Sequence, residues 1–336
     1  MSLLAIGDRA STFQIRRFSS DLKADLTRLG QELATGRRAD LGAAVSGDFG
    51  PAAAIERSLT ALAAYRTTAS ETAQLFEAAQ LALGEVQSIS RAATPGLLTA
   101  GNSRDRAMIA ASATDARQKF EAVAARLNTR VADRTLFAGA ATDGPAMASG
   151  AMMLASLKSA TAGATTATDV VAAVDAWFDT PGGGFESSGY LGSDAAFGAM
   201  AIAEGETIGL DVRADDSVVR ETLKALALAS LVAEDVLAGD ADAQAALFSE
   251  AADRLIATDG AVTDLRARIG AAEARVETAK TRNAAEAAAY DLALGELVAV
   301  DPYETATELE AVYSQIETLY TVTARIAGLR FTDYMR

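Results

Sequence analysis

The feature that most narrows what this chain can fold into lies in its last residues, 301–336. The stretch opens with a helix start signal: Asp301 as N-cap, Pro302 at the first helical position and Glu304 three residues after the cap. Leu309, Val312, Ile316, Leu319, Thr323 and Ile326 then follow at alternating spacings of three and four, and Tyr313, Tyr320 and Ala327 widen the stripe. That spacing is a coiled-coil seam rather than the broad apolar face of a helix on a globular core. One amphipathic helix cannot bury such a seam alone, so it needs a partner.

The other end of the chain supplies a candidate. Ile15, Leu22, Leu26, Leu29 and Leu33 repeat at the same mixed spacing, with Ser19 as the polar member. Gly36 is placed to end the helix, and Arg37 and Arg38 follow. Two such seams predict a chain that leaves and returns, its ends paired in one rod and its middle projecting. The alternative is that both are ordinary terminal helices packed on a core.

Composition supports long helices. Half of the residues are hydrophobic, but Ala dominates that half and aromatics make up only 6%. Such chains form helices in close contact rather than large globular cores. No apolar run approaches the roughly 18 residues of a membrane span, so membrane insertion is not expected. The opening MSLLAIGDRASTF lacks a basic segment followed by an apolar one, so no cleaved signal peptide is expected.

The chain has no Cys and no His. Disulfides, thiol catalysis, structural zinc and haem ligation fall away together, as does the side chain most used for proton transfer near neutral pH. No catalytic, cofactor-binding or metal-ligating residue is predicted, and the chain is not expected to be an enzyme. The net charge of −15 is uneven. Residues 140–219 hold two basic and eleven acidic side chains, a balance of −9, whereas residues 1–40 hold seven basic and five acidic, a balance of +2. An acidic middle repels phosphates, so nucleic acid is not an expected partner.

Along the chain, residues 37–50 read as a connector, and Pro51 opens a helix to about 93, stopped by Thr94-Pro95-Gly96. Asn102, with Asp105 three residues on, is expected to cap a helix that ends around 136–139. From 140 to about 213 Gly, Ser and Thr become frequent. Short helices are expected at 151–160 and 168–178, and a hairpin within 199–213 around Glu204-Gly205-Glu206. Helix returns over 217–237, closed by Gly239, and again over 242–299. The fold class expected is mainly α, a long-helix coiled-coil or bundle rod formed by both chain ends, with a small mixed α/β insertion in the middle. Its parts are terminal coiled-coil assembly segments at 1–40 and 301–336, a helical rod domain at 41–139 and 217–300, and a variable insertion at 140–216.

Other local features have plain readings. Arg16-Arg17 and Arg37-Arg38 are read as solvated residues near helix ends rather than intersubunit salt-bridge donors. Asp215-Asp216 has no calcium-loop spacing and is read as surface charge. Pro181-Gly182-Gly183-Gly184 lacks the lysine of a phosphate loop and is read as a turn. Tyr313 and Tyr320 are read as packing residues of the terminal coiled coil, and Trp177 and Phe178 as anchors of the insertion's core.

The N-terminal QELATGRRADLGAAVSGDFGPAAAIERSL resembles the flagellin-type N-terminal signature, and ELEAVYSQIETLYTVTARIAGLRFTDYM resembles the matching C-terminal one. Within that superfamily, RLNTRVADRTLFAGA (126–140) and GYLGSDAAFGAMAIAEGETIGLDVRADD (189–216) are similar to segments flanking the variable domain of the hook-associated protein 3 family. Thr135 stands where that family often has an aromatic. The resemblance implies a structural adaptor at the flagellar hook–filament junction, outside the cell and exported without a cleaved signal. It implies a homo-oligomer in a ring or tube, in contact with a neighbouring hook-associated protein and flagellin. An export chaperone and the flagellar secretion apparatus are implied as transient partners. It also implies termini that order only on assembly, with Ile15, Leu22, Leu26, Leu29, Leu33, Leu309, Val312, Tyr313, Ile316, Leu319, Tyr320 and Ile326 as assembly-interface residues, and an insertion facing outward. The alternatives are a flagellin that forms the filament itself and, from another class, an intracellular coiled-coil scaffold.

Overall fold

The computed structural model describes the backbone of residues 2–40, 42 and 47–334, and side chains of residue 10 and of 12–325 within those limits. Residues 41 and 43–46 of the expected connector, and the side chain of Ile326, lie outside the described residues. The fold is mainly α, as its Ala-rich composition requires. Its helices are α1 (Ser2–Thr35), α2 (Gly50–Gly101), α3 (Arg106–Leu127), α4 (Gly150–Ala160), α5 (Ala167–Asp179), α6 (Ser217–Leu231), α7 (Ala241–Val298) and α8 (Pro302–Tyr334). Among the described residues there are also a π-helical turn (Phe185–Gly189) and two small antiparallel hairpins: β1 (Arg130–Val131) with β2 (Arg134–Thr135), and β3 (Met200–Ala203) with β4 (Glu206–Ile208). The chain divides into two compact units, residues 1–63 with 285–336, and residues 64–284.

The second unit is built around α6. Every residue from 222 to 231 is buried, so over this stretch the helix has no solvent face, and α3, α4 and α5 pack against it. Phe120, Phe137, Phe178, Phe185 and Phe248 are all at most 1% exposed and belong to one continuous core. That core takes in the residues of the expected insertion together with the helices before and after it. Trp177 and Phe178 sit in it as anchors, with ring centroids 4.7 Å apart in an edge-to-face arrangement.

Several boundaries differ from expectation for identifiable reasons. Helix α2 runs through Pro95 rather than stopping at it. The buried stripe continues past the proline at Leu97 and Ala100, and Lys119 Nζ donates to the Ala92 carbonyl at 3.1 Å. Packing outweighs the lost backbone bond. The cap of α3 is Asp105, whose Oδ1 accepts from Ala107 N at 3.0 Å. Asn102 instead donates back to the Leu98 carbonyl at 2.8 Å, finishing the preceding helix.

Helix α3 also ends at Leu127, earlier than expected, because Asn128 is occupied elsewhere. Its side chain exchanges two hydrogen bonds with the backbone of Met147, at 2.9 and 3.0 Å. Ala132 and Asp133, both at positive φ, then turn the chain through β1 and β2. Leu136, Phe137 and Ala138 are fully buried without being helical. Gly139, at φ +59, lies so close to the Ser193 and Ala195 carbonyls that a Cβ would fall 2.4 Å from each. Helix α6 stops at Leu231, and a left-handed Asp235 ends the short 3-10 turn after it, short of the expected 237.

The expected helices at 151–160 and 168–178 appear as α4 and α5, the expected hairpin as β3 and β4 with Gly205 at φ +68 in its turn, and the long 242–299 helix as α7. The Pro181 turn is tightly packed rather than a plain surface loop, since a Cβ on Gly184 would fall 1.8 Å from Trp177 Nε1.

Candidate assembly surface

In the unit that joins the chain's two ends, α1 and α8 meet along a thin seam. Thirty-four residues form α1 without interruption, and Gly36, at φ +69, ends it by donating to the Glu32 carbonyl at 2.8 Å. Asp301 starts α8: its Oδ1 accepts from Tyr303 N at 2.8 Å and Glu304 N at 3.2 Å. The end of α1 and the start of α8 are fastened by backbone bonds, Arg38 N to Val298 O at 2.9 Å and Val300 N to Gly36 O at 3.2 Å. With those ends fixed together and the two helices in contact, α1 and α8 run antiparallel.

The seam predicted from spacing lies largely where the two helices meet. Leu22 and Leu29 are buried, at 4% and 2% exposure, while Ile15, Ser19 and Leu26 are half-buried. Across from them Leu309, Val312, Ile316 and Leu319 are half-buried as well. Leu33 and Thr323 stand exposed at the seam's edges. Tyr313 and Tyr320 do not pack into the pair: they are 57% and 55% exposed. Phe13 and Phe18, which the spacing rule passed over, are also exposed, at 68% and 50%.

Two buried polar groups at the fastened end were not legible in the spacing. Glu32 is 5% exposed, and its Oε1 accepts from Ala39 N at 2.9 Å while its Oε2 takes Arg28 Nη1 at 3.3 Å. A hydrogen bond to Asp25, at 3.1 Å, holds the Arg28 guanidinium pKa above its ordinary value. Thr305 is buried and donates to the Asp301 carbonyl at 2.8 Å, which extends the seam of α8 one step toward its start. A signal existed for Thr305, four residues before Leu309, but its polarity hid it.

This arrangement leaves apolar surface open to association. A seam whose apolar residues are mostly half-covered keeps surface that a further helix could bury, at about 1 kcal/mol for each half-exposed Leu or Ile. Among the described residues no cluster of three or more Asp, Glu, His or Cys is placed to hold a metal ion. No helix among them is long and apolar enough to cross a membrane. The predicted solvated pairs behave plainly: Arg16, Arg17, Arg37 and Arg38 are exposed. Asp215 pairs with Arg213 at 2.8 Å, and Asp216 caps α6.

Comparison with known proteins places the seam in context. Residues 254–334 match the family model of the bacterial flagellin C-terminal helical region, a stretch that contains all of α8. No curated protein matches the chain in sequence. Solved structures share its fold, two of them as follows. One is a Vibrio parahaemolyticus protein described as a flagellar hook-associated protein, 14% identical, with TM-score 0.52 over 72% of this chain and 93% of that one. The other is Bacillus cereus FlgL, 15% identical, with TM-score 0.51 over 71% of this chain and 97% of that one.

Proposed function

We propose that this protein is a structural component of the bacterial flagellum, of the hook-associated class, which assembles through α1 and α8 into a ring or tube. The observation that carries the reading is the match of residues 254–334 to the flagellin C-terminal region, coinciding with a seam that its own two helices only half cover. The fold shared with a hook-associated protein supports it. The role is non-catalytic, and the subunit acts by presenting surfaces.

The finer reading is an adaptor between hook and filament, with copies of itself, a neighbouring hook-associated protein and flagellin as partners. Export through the flagellar secretion apparatus, with a chaperone holding the terminal segments, belongs to the same proposal. Ordering costs the helical pair conformational entropy that a thin seam barely offsets, so the pair gains its stability when neighbouring subunits cover it. The residues we assign to that interface are Ile15, Leu22, Leu26, Leu29, Leu33, Leu309, Val312, Tyr313, Ile316, Leu319, Tyr320 and Ile326.

A flagellin role is favoured by one observation, the flagellin family to which the C-terminal match belongs. The two readings part on assembly. Purified flagellin grows into long filaments, whereas a junction subunit stops at short closed assemblies. In a deletion strain, hooks without filaments and flagellin shed into the medium are expected, with the protein restored to sheared flagella by complementation. Long filaments grown from this chain alone would replace the adaptor reading with the flagellin one.

A further inference from the structure

The unit of residues 64–284 holds a polar cleft of about 750 Å³ that assembly through α1 and α8 leaves without a role. Most charges around it are already engaged. Arg213 spans the Asp215 carboxylate at 2.8 and 3.0 Å and donates to the Asp194 carbonyl at 2.5 Å. Glu186 accepts from Gly182 N at 2.7 Å. Tyr190 donates its hydroxyl to the Ser193 carbonyl at 3.0 Å, and burial together with the Asp215 charge pushes its pKa up to about 12, so it stays a neutral phenol.

Arg220 is one of two exceptions. Its guanidinium lies 5.8 Å over the Phe185 ring, and Nη1 reaches only the Phe178 carbonyl at 3.3 Å. Its Nε is shut off from solvent and meets no acceptor, and it forms no ion pair among the described residues. A guanidinium carries five N–H donors; the Nε is beyond a solute's reach, but the two terminal nitrogens carry four of them against a single backbone acceptor. Asp194, exposed on the same cleft, keeps a carboxylate with no hydrogen bond or ion pair among the described residues.

We infer that this cleft binds a hydroxylated carboxylate of the sugar-acid class, its carboxylate on Arg220 and its hydroxyls on Asp194 and the Tyr190 oxygen. A planar guanidinium matches a carboxylate in two-point geometry. An unengaged carboxylate on the same cleft accepts hydroxyl protons, and the polar wall suits a solute rich in hydroxyls.

The chain's only tryptophan reports on the site, because Trp177 lies 6.2 Å from Phe185, the ring beneath Arg220. Titration of the full chain with D-glucuronate, followed by Trp177 fluorescence and by the amide resonances of residues 185–194, is expected to saturate. Glucose, which lacks the carboxylate, is expected to give no response, and acetate, which lacks the hydroxyls, a weaker one. Arg220→Gln is expected to weaken glucuronate by about tenfold or more. Asp194→Asn, at an exposed side chain that leaves the fold intact, is expected to weaken glucuronate but not acetate. The second variant decides the matter if Arg220→Gln loses its helical circular dichroism. Absence of a saturable response in either signal, equal binding of acetate and glucuronate, or unchanged affinity in Asp194→Asn would each overturn the inference.

Discussion

The two units are stabilised in opposite ways, though both are built from Ala-rich helices. In residues 64–284 seven phenylalanines, Trp177 and a helical stretch, 222–231, with no exposed face share one core. In residues 1–63 and 285–336 the fully buried apolar side chains among the described residues are Leu22, Leu29, Leu62 and Val298. The aromatics of that second set whose side chains are described, Phe13, Phe18, Phe49, Tyr290, Tyr303, Tyr313 and Tyr320, are all exposed. Large side chains placed inside give a unit a core of its own. The same side chains placed outside leave apolar surface that a partner could cover.

The largest effect that would break this comparison concerns the dense core. Phe178→Ala is expected to cost about 3–5 kcal/mol in chemical unfolding, since it removes a fully buried ring and leaves a cavity. Leu29→Ala in the thin seam is expected to leave that main transition in place while preventing assembly. Equal losses in the two variants would mean that the units are not distinct.

Next in size is Gly184→Ala. Its Cβ would collide with the Trp177 indole, and overpacking of this kind costs about 1–3 kcal/mol, read as a lower unfolding midpoint and a shifted Trp177 emission. An unchanged midpoint would show that the turn can yield.

A third test uses pH. Arg254 lies 2.6 Å from Asp175, and its hydrogen bond holds the Asp175 carboxyl below the usual carboxylate range. A carboxyl depressed on folding contributes stability above its unfolded pKa of about 4 and loses it as pH falls through the folded value. The unfolding midpoint should therefore fall between neutral pH and about pH 3, and Arg254→Met should flatten the part due to Asp175. Identical pH profiles in the two proteins would remove the pair from the account.

The smallest expected effect on the monomer is the most telling for the thin unit. Tyr313→Ser combined with Tyr320→Ser should change monomer stability by no more than about 0.5 kcal/mol, as exposed substitutions usually do. The same pair should reduce the assembled fraction seen by sedimentation. A destabilised monomer would place these tyrosines in an intrachain contact.

The thin unit was the more legible of the two in sequence, because a regular helix pair is governed by spacing. The mixed spacing at Leu22, Leu26 and Leu29, the glycine at Gly36 and the cap at Asp301 each appear where local rules put them. The dense unit was legible in its elements but not in its joints. Pro95 does not end α2, because Leu97 and Ala100 are held by neighbouring packing. Asn128 ends α3 through a bond to Met147, nineteen residues away, that no local pattern contains. Of the candidate surface, the seam between α1 and α8 could be read, but the outward aim of Tyr313 and Tyr320 depends on which arc of α8 meets α1, and spacing alone does not fix that.

The central claim is that the paired termini are an assembly element whose stability comes from neighbouring subunits. Hydrogen exchange tests it most directly, on the purified monomer and then on the protein within sheared flagella. The account predicts that amides of residues 12–35 and 302–325 exchange far faster than those of α3 and α6 in the monomer, and become comparably protected after assembly. Termini already protected like α6 in the free monomer would contradict it.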